Sequence, residues 1–184
     1  MRRVVASEFL ALDGVVETPE KWSGPYWNDE IATFKHDELF ASDALLLGKL
    51  TYEVFAASWP ARTDEDGFAD RMNTLPKHVV STTLNEPLEW NNSSLIRGSL
   101  AERVTELKQQ DGQDVLIYGS GRLVRSLITQ GLLDELRLLV YPIVVGTGKR
   151  LFDESNKAEL QLVETKAFGS GVALLSYGPA TAKG

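Results

Sequence analysis

The sequence predicts a three-layer α/β/α domain, with a mixed, mainly parallel sheet between two helical layers and an antiparallel hairpin at its C-terminal end. Three observations predict it. From Val4 to Gly131, short apolar runs alternate with amphipathic segments, the pattern of parallel strands joined by helical crossovers. After Gly131 the strand-like runs follow one another without a helix between them. The last two are joined across Gly169-Ser-Gly171, a hairpin signal.

Each element has a local reason. Val4–Leu10 reads as a first strand, apolar enough to lie near the sheet centre. Asp13-Gly14 opens a loop of turn formers running to about Pro25. Asn28 is placed to cap a helix that ends near Ser42, with Asp29 and Glu30 favouring its dipole and Ile31 and Phe34 giving it an apolar face. Ala44–Leu47 is a second strand closed by Gly48, and Leu50–Ser58 a short helix halted by Pro60. Residues 61–67 read as a charged loop and 68–75 as a further helical turn or two before Pro76. His78–Ser81 is a third strand, followed by a polar connection, Thr83–Asn92, which Trp90 anchors. Ser99-Leu-Ala-Glu102 is a capping box, opening a helix with Leu100, Val104 and Leu107 on one face and Gly112 as its stop. Val115–Tyr118 is a strand, Arg122–Gln130 a helix stopped by Gly131, and Leu136–Val145 a long β-branched strand. Leu160–Ala167 and Val172–Tyr177 make the closing hairpin.

Composition bounds the function. The 184 residues suit one domain over 1–179, with 180–184 a frayed tail. A net charge of -7 disfavours nucleic acid. With no cysteine, thiol catalysis, disulfides and iron–sulfur clusters are excluded, and two histidines are too few for a typical zinc site, so no metal is expected. His36 and His78 are expected to serve no chemistry. The N-terminal Met1-Arg-Arg-Val-Val lacks the form of a signal peptide and no apolar run spans a membrane, so a cytoplasmic protein is expected.

The chemistry-bearing segment is Asp114-Val-Leu-Ile-Tyr-Gly-Ser-Gly-Arg-Leu-Val124. A strand feeding a glycine turn that opens a helix presents unpaired amides and a positive helix end, which suit a phosphate. A Rossmann fingerprint fails here: Val124 stands where its third glycine belongs, and no acid ends the next strand near Tyr141-Pro142. A ligand-free tight turn is the competing reading of Gly119-Ser-Gly121.

Several segments resemble, in order and spacing, the dihydrofolate-reductase superfamily. They are Ser7-x5-Asp13-Gly14, Asp43-Ala-Leu-Leu-Leu-Gly48-Lys-x-Thr-Tyr-Glu53, Lys77-x-Val-Val-Ser-x-Thr-Leu84, Val115–Leu123, Gly131-Leu-Leu-Asp-Glu-Leu136 and Pro142-Ile-Val-Val-Gly-x-Gly-Lys-Arg-Leu-Phe152. The branch they most resemble is the reductase domain of bacterial riboflavin biosynthesis. The resemblance implies a dihydrofolate-reductase-like fold, NADPH as hydride donor with NADH possible, a heterocyclic substrate and a homodimer. It places Gly48, Lys49 and Thr51 at a phosphate-binding turn, Ser81 and Thr82 at the adenosine 2′-phosphate, and Gly119, Ser120, Gly121, Arg122 and Leu123 at the pyrophosphate. The nicotinamide would then lie near Ser7 and the Asp13-Gly14 loop. Lys49 and Thr82 stand where arginines are usual, which implies weak discrimination between NADPH and NADH.

Reducing a C=N or C=O bond also requires a proton. Asp13 and Glu30 are the two candidates, against their alternative roles as a turn former and a first-turn dipole partner. Gly14, Trp22, Phe34 and Tyr52 are expected to bound the substrate pocket. Trp22 and its neighbour Trp27 could instead pack a lid, and Tyr52 could pack beneath its helix. Gly146-x-Gly148-Lys-Arg150 could meet a substrate phosphate or form a solvated loop. The leading reading is an NAD(P)H-dependent reductase of a pyrimidine- or pterin-like heterocycle, similar to 5-amino-6-(5-phosphoribosylamino)uracil reductase. The alternatives are a nucleotide-binding protein without turnover and a true dihydrofolate reductase.

Overall fold

The structure is a computed structural model that describes residues 1–154 and 157–180. The expected frayed tail therefore lies, beyond its first residue, outside the described residues. Eight strands form one sheet in the order β4-β3-β2-β5-β1-β6-β8-β7, with β1 Val4–Ala11, β2 Ser42–Gly48, β3 Lys77–Val80, β4 Ser93–Ile96, β5 Asp114–Tyr118, β6 Glu135–Tyr141, β7 Leu160–Ala167 and β8 Ala173–Pro179. β4 through β6 in that order are parallel; β8 runs antiparallel to β6, and β7 to β8. This is the expected mainly parallel sheet with an antiparallel hairpin at its edge.

The helices are α1 Asp29–Phe40, α2 Lys49–Ser58, α3 Phe68–Thr74, α4 Leu100–Gln109 and α5 Gly121–Thr129. Side-chain alternation along the strands sorts them into two layers. On one face Leu39 of α1, Tyr52 of α2 and Met72 of α3 join Val5, Leu45, Leu47 and Leu116 in a core. On the other, Val104 and Leu107 of α4 and Leu123, Val124 and Leu127 of α5 close over Val4, Ala6, Val115 and Ile117. A third cluster, around Tyr141, Trp22, Ile31 and Phe168, seals the end where the hairpin meets α1.

Two expectations need correction and two features were not expected. β6 ends at Tyr141, not Val145, because Pro142 has no N–H to donate to the ladder. α1 ends at Phe40, and Ser42 opens β2 while its hydroxyl donates to the Glu38 carbonyl (2.9 Å). β4 was not anticipated: Ser93 and Ser94 give it no apolar alternation, and its parallel register against β3 alone defines it. The loop after β1 holds two 3-10 turns, Pro19–Lys21 and Gly24–Tyr26. No helix among the described residues is long and apolar enough to cross a membrane.

A candidate cofactor crevice

β5 lies between β2 and β1. The helix after β2 covers one face of the sheet and the helix after β5 covers the other, so the chain diverges between these neighbours. In parallel sheets such a divergence opens a crevice outside the carboxyl ends of the strands, where ligands bind. β1 deepens it: Ser7 pairs with Tyr118, the last residue of β5, and β1 then continues to Ala11 against β6 alone.

Two turns meet in this crevice. Gly119 has φ +58 and Ser120 φ +65, a left-handed pair in which only the glycine is free of steric cost. The conformation aims the Ser120 hydroxyl across to the junction of β2 and α2, where it accepts from the Gly48 N–H (2.9 Å) and donates to Thr51 Oγ1 (3.0 Å). A Cβ on Gly119 would stand 3.1 Å from Thr51 Oγ1, so the turns approach closely because a side chain is missing.

The helix ends above the turns are open. Asn28 caps α1 by accepting from the Ile31 N–H (3.0 Å), and Ser99 caps α4 by accepting from the Glu102 N–H (3.3 Å). No side chain caps α2 or α5. Their first-turn amides, which have no intrahelical acceptor, face the crevice with the positive ends of both dipoles. Two cations flank them. Lys49 donates to Thr83 Oγ1 (2.9 Å) at the end of β3 and lies 3.7 Å from Glu53; Arg122 is exposed, while Leu123 turns into the core. Thr82 is exposed beside Lys49's partner, and the Ser81 hydroxyl accepts from the Thr83 and Leu84 amides (3.1 Å each), shaping that turn.

The carboxylates proposed as acids are both engaged by loop amides. Asp13 accepts from the Gly146 N–H (2.8 Å) and the Val145 N–H (3.4 Å) and faces Arg150 at 3.9 Å. The Gly146 amide, with Val145 and Arg150, holds its pKa below the usual value, so at neutral pH it has no proton to give. The same contacts bind Arg150 into the loop: its Nε donates to the Asp13 carbonyl (2.9 Å). Lys149 reaches Glu17 at 3.3 Å. Glu30 accepts from the Gly169 N–H (2.6 Å), tying α1 to the β7–β8 turn. Both carboxylates brace loops.

Of the residues expected to bound a substrate, Gly14 makes a tight turn (φ +85), its amide donating to the Ala11 carbonyl at 2.8 Å. Trp22 is buried against Tyr141 (5.4 Å between rings), with its indole N–H donating to the Glu17 carbonyl (3.1 Å). Phe34 packs on Phe168 (5.9 Å). The Tyr52 hydroxyl accepts from the buried Trp90 N–H (3.0 Å), and its ring also borders a cavity of about 430 Å³ with Leu84, Pro87 and Leu88. Trp22 and Phe34 are thus packed in the third core cluster, while Tyr52 both packs in the core and borders that cavity. Trp27, the neighbour of Trp22, stays open, 48% exposed and 6.3 Å from Phe9 of β1. His36 stacks on Phe40 (4.1 Å) and His78 meets the Ser94 hydroxyl (3.2 Å).

One cluster escaped the sequence. Lys35 and Glu38 of α1 are both buried, form an ion pair, and reach down to Ser7: the Lys35 ammonium donates to the Ser7 hydroxyl (3.0 Å), which donates to Glu38 Oε1 (3.0 Å). Arg137 of β6 approaches the other Glu38 oxygen at 3.4 Å. The ammonium lies 3.9 Å above the Tyr118 ring and 5.2 Å from that of Phe9. Burial lowers the Lys35 pKa; burial, with the charge and hydrogen bonding of Glu38 added, raises that of the Tyr118 phenol. The available signal was spacing: Ile31, Lys35, Glu38 and Leu39 form one helical stripe, and all four are buried.

Comparison with known proteins agrees with this fold. The chain is 31% identical to the uncharacterized protein YyaP of Bacillus subtilis (strain 168) over 180 residues, 96% of this chain and 94% of that one. Its fold matches a Shewanella sp. PV-4 protein provisionally assigned to riboflavin biosynthesis, with TM-score 0.79, 19% identity, and coverage of 98% of this chain and 100% of that one. It also matches dihydrofolate reductase of Enterococcus faecalis, solved with NADP(H), with TM-score 0.62, 16% identity, and coverage of 96% and 95%. Residues 2–174 match the model of the RibD C-terminal domain, and the chain belongs to that family.

Proposed function

We propose that the protein is an NAD(P)H-dependent reductase of a pyrimidine- or pterin-like heterocycle, with 5-amino-6-(5-phosphoribosylamino)uracil as the first substrate to try. One observation carries this reading: the N-termini of α2 and α5, alone without side-chain caps among the four helices of nine or more residues in the described residues, open together at the crevice where Ser120 joins their turns. An open helix end favours anionic oxygens, and two converging ends suit a diphosphate.

The residues fit a reduced dinucleotide. Gly119, Gly121 and Gly48 leave its diphosphate an approach to backbone amides, Lys49 stands toward the end of β3 for a 2′-phosphate, and the strand edge at Ser7 leads to the reacting end. When bound, the dinucleotide supplies a hydride. The chain orients it, excludes water through the Trp22 lid packing and must hold the proton that completes a reduction.

Titration of tryptophan fluorescence with NADPH tests binding, and NADPH oxidation in the presence of 5-amino-6-(5-phosphoribosylamino)uracil or dihydrofolate tests turnover. Quenching without oxidation of NADPH by either substrate would leave a nucleotide-binding protein, a reading favoured by the structural employment of Asp13 and Glu30. No quenching would overturn both. A cytoplasmic homodimer belongs to the same proposal, and a sedimentation mass near 20.3 kDa would refute the dimer.

A further inference from the structure

The reductase reading lacks a proton donor once Asp13 and Glu30 are tied into loops, and the buried cluster beneath the crevice supplies one. We propose that Lys35 is the proton donor of this site, its ammonium protonating the nitrogen or oxygen of a substrate C=N or C=O bond; this rests on the reductase reading and extends it.

The placement is topological first. Ser7 is level with the last residue of β5, so the Lys35 ammonium bound to Ser7 stands at the bottom of the crevice, one residue below the Gly119 turn. Phe9, two residues further along the same face of β1, rises beside it, and the exposed Trp27 stands beyond Phe9. A flat heterocycle against this aromatic wall would have its polar edge over Lys35. The Tyr118 ring, 3.9 Å beneath the ammonium, closes the floor of this wall.

A structural role explains Lys35 poorly. Arg137 divides its charge between Glu135 (2.7 Å) and Glu38 (3.4 Å), so Glu38 has a second cation beside Lys35. A second buried cation resting on an aromatic face adds a desolvation cost that the fold does not require. The groups facing the ammonium are Glu38 of α1, Ser7 and Phe9 of β1, Tyr118 of β5 and Arg137 of β6, with Glu8 on the opposite side of β1.

The reaction balances. A hydride from the reduced nicotinamide forms a new C–H bond, the electron pair of the C=N or C=O bond takes the Lys35 proton, and the N–H electron pair stays on Nζ. The dinucleotide leaves oxidised, and the neutral amine regains its proton from water. Because the donor form exists below the lysine's lowered pKa, turnover falls as pH rises through it.

The test compares full-length wild type with Lys35→Met and Lys35→Arg. Expected is NADPH quenching unchanged in both variants, with NADPH oxidation on 5-amino-6-(5-phosphoribosylamino)uracil down by about 100-fold or more, the usual worth of a general acid. Arginine keeps the charge but holds its proton, so rescue by Lys35→Arg would show a positioning role and overturn the proposal. A second readout needs neither turnover nor a folded variant. In wild type labelled with 13C-lysine, the one resonance titrating below the ordinary lysine range with through-space contacts to Tyr118 is Lys35. Its midpoint should fall further with NADP+, whose ring is cationic, than with NADPH, whose ring is neutral; equal midpoints overturn the proposal. Absence of NADPH quenching in the wild type would instead remove the reductase reading, and this proposal with it.

Discussion

At the scale of single residues, the same side-chain chemistry serves opposite ends depending on what surrounds it. Lys49 is half-exposed and reaches toward Thr83 at the end of β3, so its charge is available to a ligand. Lys49→Ala should weaken NADPH more than NADH by ~1–2 kcal/mol, the usual worth of a charge-assisted hydrogen bond, in parallel fluorescence titrations. Equal losses would place the lysine away from the 2′-phosphate. A lysine here, with Thr82 exposed beside its partner, also implies an NADPH preference below ~100-fold in steady-state kinetics, since a point charge lacks the bidentate grip of arginine. Lys77 is the contrasting case. It is fully buried and donates to the carbonyls of Asn73 (2.8 Å), Leu75 (2.8 Å) and Asn91 (2.9 Å), with Trp90 4.3 Å away. Lys77→Met leaves three carbonyls without a donor and should cost about 2–4 kcal/mol in urea unfolding, with no effect on NADPH affinity.

At the scale of elements, the crevice was legible where a backbone requirement dictates a residue type. Gly48 and Gly119-Ser-Gly121 stand out in the sequence as glycines that end an apolar run and open a helix, and at Gly119 left-handed φ and a 3.1 Å approach to Thr51 disfavour a side chain; both turns lie at the expected strand ends. Lys35 was illegible for a converse reason. Its partner Ser7 lies 28 positions away in sequence, and a charged residue on an amphipathic helix reads as solvated until the stripe with Ile31 and Leu39 is seen to be buried. The two glycines of the turn can be separated experimentally. Gly119→Ala must hold φ +58 and press on Thr51, which should cost about 1–2 kcal/mol of stability. Gly121→Ala adopts ordinary helical φ, and its Cβ meets Leu151 and Val16 at 3.6 and 3.8 Å, normal contact distances. Its thermal midpoint should therefore be unchanged or slightly raised. A loss of NADPH affinity in Gly121→Ala would then report ligand approach to the α5 amides rather than damage to the turn.

At the scale of the whole molecule, the sheet carries a buried acid whose titration couples the fold to pH. Glu8 lies in the middle of β1, 2% exposed, with Oε1 making no hydrogen bond. Desolvation raises its pKa well above 4.5, and the nearby Lys35 charge offsets this only in part. The unfolded chain ionises this carboxyl from about 4.5 upward while the folded chain keeps it protonated. Over that interval the folded state binds more protons, so stability falls as pH rises, from the unfolded pKa until the folded pKa is passed. Most proteins with paired carboxylates show the opposite slope in this range, and the contrast makes the effect recognisable. Asp13, whose pKa is lowered, contributes in the other direction, but only as pH falls through 3.8 and below, outside the interval. Glu8→Gln keeps the shape and the neutral polarity and removes the titration. Its thermal midpoint should equal that of wild type near pH 4, exceed it increasingly toward neutral pH, and level off once Glu8 ionises in the folded protein. Parallel curves for the two proteins from pH 4 to pH 8 would mean that Glu8 ionises at its ordinary pKa in the folded chain, and that the sheet beneath the crevice admits water.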